Sequence, residues 1–213
     1  VALYEIVPYI EYLALDNESI RVAVKDYLRG GGEKKDSIVK MYGPIGDWNT
    51  SNVTDMSSLF LNYINFNEYI GKWNVSKVTD MSYMFCCAYS FNQPIGGWNV
   101  YNVTMMDGMF HLATNFNQPI GRWDTSKVSD MQAMFFMAES FNQPIDGWDT
   151  SKVTNMEFMF CSTEIFNQDI GRWNTSNVTK LTRMFNDAKS FNLDNAPWYC
   201  LLYTSDAADD GLS

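Results

Sequence analysis

The stretch Phe116-Asn117-Gln118-Pro119-Ile120-Gly121-Arg122-Trp123-Asp124-Thr125-Ser126-Lys127-Val128-Ser129-Asp130-Met131, followed by Met134-Phe135, decides the fold, because it recurs along the chain. The seven tryptophans stand at 48, 73, 98, 123, 148, 173 and 198, a constant step of 25 with no insertion or deletion. Other columns keep the same step: Ile45 to Ile170, Val53 to Val178, Phe60 to Phe185, Phe66 to Phe191, and Met56 to Met156 continued by Leu181. A fixed period in this range is the signature of a solenoid, in which each unit buries its apolar face only against its neighbours.

Within a unit the apolar spacing changes character. Val78, Met81, Met84/Phe85 and Ala88 recur as one face of a helix-like stretch of about three turns, with Ser76 expected as its N-cap. Gln93-Pro94-Ile95-Gly96 cannot continue a helix, so a short strand is expected near Ile95. The expected fold class is therefore an α/β repeat with one short strand and one helix-like stretch per rung. The row Asn67, Asn92, Asn117, Asn142, Asn167 and Asn192 reads as an asparagine ladder between rungs. Asn49, Asn74, Asn99, Asp124, Asp149 and Asn174 read as turn or cap residues.

Composition excludes several functions. With a net charge of -10 and 15 scattered Lys and Arg, no nucleic-acid surface is expected. No apolar run approaches the ~20 residues needed to insert into a membrane. The four cysteines, 86, 87, 161 and 200, have neither zinc-site nor disulfide-scaffold spacing, so no metal and no cofactor is expected. His111 is the one histidine, has no fixed acid or nucleophile beside it, and reads as a surface residue. No catalytic residue is predicted.

Three segments are expected: a helical N-terminal cap over 1–40, a repeat array of six rungs and the start of a seventh over 41–198, and an aberrant, adapter-derived tail over 199–213. In the cap, Asn17 is expected to start a helix carrying Ile20, Ala23, Val24, Tyr27 and Leu28, ended by Gly30-Gly31-Gly32. Val1 to Leu15 carries Glu5, Pro8 and Glu11 and reads as neither signal peptide nor membrane span. Without an initiator Met the chain reads as a fragment. Residues 200–211 resemble the conceptual translation of a sequencing adapter.

The quoted phrase resembles the BspA-type leucine-rich repeat family of tandem 25-residue units, over about Met41 to Trp198. That resemblance implies a right-handed leucine-rich-repeat-like solenoid in a secreted or cell-surface protein, serving adhesion and recognition, and carries over no catalytic residue. A ligand, protein or glycan, is then expected on the columns that vary while the core stays constant. Tyr83, Phe136, Phe158 and Arg183 are the candidate contacts. Two other readings stand beside this one: an intracellular scaffold that spaces other domains, and the accessory repeat region of an enzyme whose catalytic domain lies elsewhere. The sequons at Asn52, Asn102 and Asn177 are read as glycan acceptors only if their column faces solvent. The hydroxyl row from Thr54 to Thr179, placed in the helix-like stretch, argues against an ice-binding face.

Overall fold

The computed structural model describes residues 12–200. Two helices, α1 (Asn17–Arg29) and α2 (Gly31–Tyr42), precede a stack of 25-residue rungs. The stack is held by single parallel bridges that link Asp55, Asp80, Met105, Asp130, Asn155 and Lys180 in turn, one per rung.

The segment expected to be helix-like is instead a pair of consecutive tight turns. In one rung Met84 N–H donates to Met81 C=O (3.2 Å) and Ala88 N–H to Phe85 C=O (3.0 Å), and the third residues, Tyr83 and Cys87, are left-handed at φ 55° and 58°. The intervening amides of Met81, Tyr83, Phe85 and Cys87 point out of the rung. They donate to the carbonyls of Met105, Asp107, Met109 and His111 at 2.8–3.0 Å. A helix would turn these donors inward on itself, whereas a stack needs them for its neighbour. The apolar spacing of three and four residues suits both geometries, so the pattern alone does not separate them.

Two further expectations are corrected. Ile95 forms no strand: its carbonyl closes a turn with Trp98 N–H (3.1 Å) and also accepts the indole N–H of Trp123 (3.2 Å). The ladder falls fifteen residues before it, at the column of Asp80, because Pro94 offers no amide to a neighbour. Ser76 is no helix cap: its amide and hydroxyl both donate to Asn74 Oδ1 in a side-chain-closed turn.

The core is a set of files. Phe60, Phe85, Phe110, Phe135, Phe160 and Phe185 succeed one another at 5.5–5.8 Å between ring centroids. Each also stacks at 3.9–4.1 Å on the second phenylalanine of its own rung, Phe66 through Phe191. The tryptophans lie beside them, with Trp148 at 6.3 Å from Trp173 and Trp173 at 6.3 Å from Trp198. Every indole N–H from Trp73 onward donates to the isoleucine carbonyl one rung back, at 2.7–3.3 Å. That bond satisfies a buried acceptor, which is why an indole and not a phenyl ring recurs here.

The polar columns stitch the rungs together. Asn92, Asn117, Asn142, Asn167 and Asn192 each donate the backbone N–H to the Oδ1 of the asparagine one rung back, at 2.9–3.0 Å. Gln93, Gln118, Gln143 and Gln168 add a side-chain amide to the same asparagine. The hydroxyl row stands at the bridged ladder, not on a helix. Thr79, Thr104, Ser129, Thr154 and Thr179 each donate the hydroxyl to the carbonyl one rung back.

At the first rung, α1 replaces a missing neighbour with side chains. Asp16, not Asn17, caps the helix, through a reciprocal pair with Ser19 that holds the Asp16 carboxyl below its ordinary range. Asn17 instead faces the array, where its Oδ1 accepts from the amides of Thr54 (2.8 Å) and Asp55 (3.1 Å). Arg21 donates to Ser57 C=O (2.7 Å) and Arg29 to Asn62 C=O (3.3 Å). The glycines after Arg29 do end α1, with Gly30 as its C-cap, but a second helix that the sequence reading does not foresee follows them. Gly31, at φ 73°, turns a corner into α2, which buries Ile38. The boundary residues of the first and last expected segments, 1–11 and 201–213, lie outside the described residues, and with them nearly all of the adapter-like stretch.

Candidate functional site

The two turns of each rung present an outer face whose backbone is already satisfied by the next rung. Two columns on it are left-handed: Ser58, Tyr83, Gly108, Ala133, Phe158 and Arg183, and then Asn62, Cys87, Leu112, Met137, Ser162 and Asp187. Three of the four predicted contact residues therefore share one column, and Phe136 stands three positions further along its rung.

The structure brings some of them together. Phe136 stacks on the His111 imidazole at 4.7 Å and 16°, and meets Phe158 edge-on at 6.3 Å. Tyr83 lies across Gly108, where a Cβ would run into its ring, and is 38% exposed. Burial first, and then the neighbouring Asp107, push its phenol above the ordinary value of 10.0. Arg183 is exposed on the last described turn pair, one rung beyond Phe158 in the same column, beside a hollow of about 320 Å³ lined by Phe185, Phe191, Leu193 and Tyr199.

His111 is not the surface residue its sequence suggests. It is half-buried under Phe136, its Nδ1 is enclosed without a hydrogen-bond partner, and burial lowers its pKa from 6.5. Cys86 and Cys87 approach to 3.7 Å between sulfurs, and burial first, then the adjacent thiol, push Cys86 up to about 12, so it is no nucleophile at neutral pH. Among the described residues no group of three or more His, Cys, Asp or Glu could hold a metal ion, and no helix is long and apolar enough to cross a membrane.

Sequence reasoning missed a set of carboxylates on the same rungs, two of which, Asp107 and Asp130, act on the Tyr83 phenol. Asp80, Asp107, Asp130 and Glu157 are half-buried, one on each of four successive rungs, and none forms an ion pair among the described residues. The signal was present: positions 80–88, 105–113, 130–138 and 155–163 contain no Lys or Arg. A second concave surface, a groove of about 660 Å³, runs along Pro94, Pro119 and Pro144, with Arg122 and Asp146 at its sides. Of the sequons, Asn52 and Asn177 are exposed and Asn102 half-buried. The amides of Asn102 and Asn177 donate to backbone carbonyls one rung back.

The recurring unit also matches a family model, described as "Mycoplasma protein of unknown function, DUF285", over residues 34–135 and 113–206. These spans take in most of the chain, and the protein belongs to that family, as a tandem-repeat member. No curated protein and no solved structure matches it.

Proposed function

We propose that this chain is a non-enzymatic recognition module, secreted or displayed at a cell surface, which binds a protein or a glycan along the outer face of its turns. In this reading the stack is a right-handed, leucine-rich-repeat-like solenoid of the BspA type. The observation that supports it is the choice of residues in the left-handed columns. Eleven non-glycine residues there adopt φ of 50–62°, and only Asn62 and Asp187 are of the types that tolerate this region well. Each of the others costs about 1 kcal/mol relative to glycine. A face with only a structural duty would settle on glycine, as at Gly108. Tyrosine, phenylalanine, leucine, methionine and arginine stand there instead, and in this reading they serve what they touch.

The test is to probe arrays of glycans and of extracellular proteins with the whole chain and with a Phe136→Ser, Phe158→Ser variant. We expect saturable binding that the double substitution abolishes and that Tyr101→Ser, on a different loop, leaves intact. A chain that binds nothing on either array, or whose binding survives loss of both rings, overturns the reading.

A further inference from the structure

Four carboxylates without an ion pair among the described residues have a spacing and a setting that specify a partner; Asp107 accepts the Ser82 hydroxyl (2.6 Å) and Asp130 a neutral amide of Asn155 (3.2 Å) from the neighbouring rungs. Asp80 and Asp130 stand at the bridged column, and Asp107 and Glu157 two positions further along their own rungs. One negative charge thus recurs per rung, staggered between two columns so that like charges are not stacked directly on one another. Successive rings of the phenylalanine file stand 5.5–5.7 Å apart, and the bridged backbones about 4.8 Å. The Tyr83 phenol feels Asp107 and Asp130, and Phe158, which follows Glu157 in its rung, meets Phe136 edge-on at 6.3 Å.

The chain itself displays what such a position takes. Asp55 is the first member of the column that continues to Asp80 and Asp130. Like them, it accepts the amide of the residue two positions on, at 2.8 Å. The Arg21 guanidinium meets this carboxylate at 3.0 Å and donates at 3.2 Å to Ser57 Oγ as well. In the later rungs no cation of the chain does so.

We propose that the acidic strip of Asp80, Asp107, Asp130 and Glu157, with the adjoining rings, binds an extended basic peptide segment of a partner protein, running along the stack axis. Alternate side chains of an extended strand recur every ~6.6 Å, so over the three steps from Asp80 to Glu157 they run ahead of the rungs by about 3–5 Å, a mismatch that long lysine or arginine side chains take up. Charge complementarity favours such a segment over a glycan, because these four rungs place four anions and no Lys or Arg in the strip, the first cations, Lys180 and Arg183, standing one rung beyond it. The inference rests on the recognition reading above and narrows its ligand.

Titration of the whole chain with acetyl-(Arg-Gly)4-amide, and with its uncharged citrulline counterpart, tests it. The arginine peptide should bind, more weakly as salt is raised, and the citrulline peptide should not. Asp107→Asn with Glu157→Gln should weaken binding about tenfold, whereas Asp124→Asn with Asp146→Asn, which removes the same net charge elsewhere, should change it less than about twofold. Circular dichroism checks that each variant is folded. Should the double variant not fold, Glu157→Gln alone, whose carboxylate holds no hydrogen bond among the described residues, should still cost about threefold. Equal weakening by both pairs, equal binding of the citrulline peptide, or no binding overturns the proposal. Glycan binding that depends on Phe136 and Phe158, without peptide binding, overturns it while the recognition reading stands.

Discussion

An indole is a large apolar side chain that also donates a hydrogen bond, and the recurrence of tryptophan follows from the isoleucine carbonyl that waits one rung back. The asparagine row serves the same need with an acceptor. His111 is the residue that departs from this economy, because its enclosed Nδ1 has no partner. Burial holds its folded pKa below 6.5, so between that value and the lower folded one the unfolded chain binds more protons. Its contribution to stability is complete above 6.5 and is lost as pH falls. We expect His111→Phe, which keeps a ring on Phe136 and removes the unpaired nitrogen, to gain stability over the native chain progressively between about pH 7 and pH 5. Urea unfolding at several pH values measures this, and a constant difference would refute it. Sequence reading placed His111 in a variable column and so called it exposed, because the ring that covers it comes from a different rung.

At the scale of the single rung, the turn that carries Pro, Ile and Gly is set by contact with its neighbour. A Cβ on Gly96 would collide with the Pro119 carbonyl oxygen, while one on Gly97 would meet nothing within 4 Å. Gly96→Ala is therefore expected to cost about 1–3 kcal/mol, and Gly97→Ala to be neutral within ~0.5 kcal/mol. Thermal or urea unfolding of the two variants compares adjacent glycines that sequence alone would treat as equivalent; similar losses at both positions would contradict the packing. The turn pairs show the same dependence on neighbours. Val78, Met81, Phe85 and Ala88 follow a spacing that fits one face of a helix, and the rung spreads it into turns because its alternate amides are claimed by the next rung.

Across the whole molecule, the stack has a direction. Its first edge is closed by α1, through Asn17, Arg21 and Arg29, and the amides at the other edge, of Leu181, Arg183, Phe185 and Asp187, have no acceptor among the described residues. Amide hydrogen exchange is accordingly expected to be slowest at Met106, Phe110, Met131 and Phe135 and at least about tenfold faster at those four edge positions, since each rung is supported from both sides only in the middle. Uniform protection along the stack would contradict this. The sequence by itself determined the period, the number of rungs, the inward columns and the asparagine ladder, because each is a repetition of residue types at a constant step and needs no knowledge of neighbours. Only the tertiary structure decided that the rungs are built of turns, that Asn17 and Arg21 close the first edge, that His111 is covered, and that carboxylates of successive rungs stand without an ion pair, two of them beside Tyr83. Each of these depends on which atoms of one rung face the next, and a one-dimensional pattern does not carry that direction.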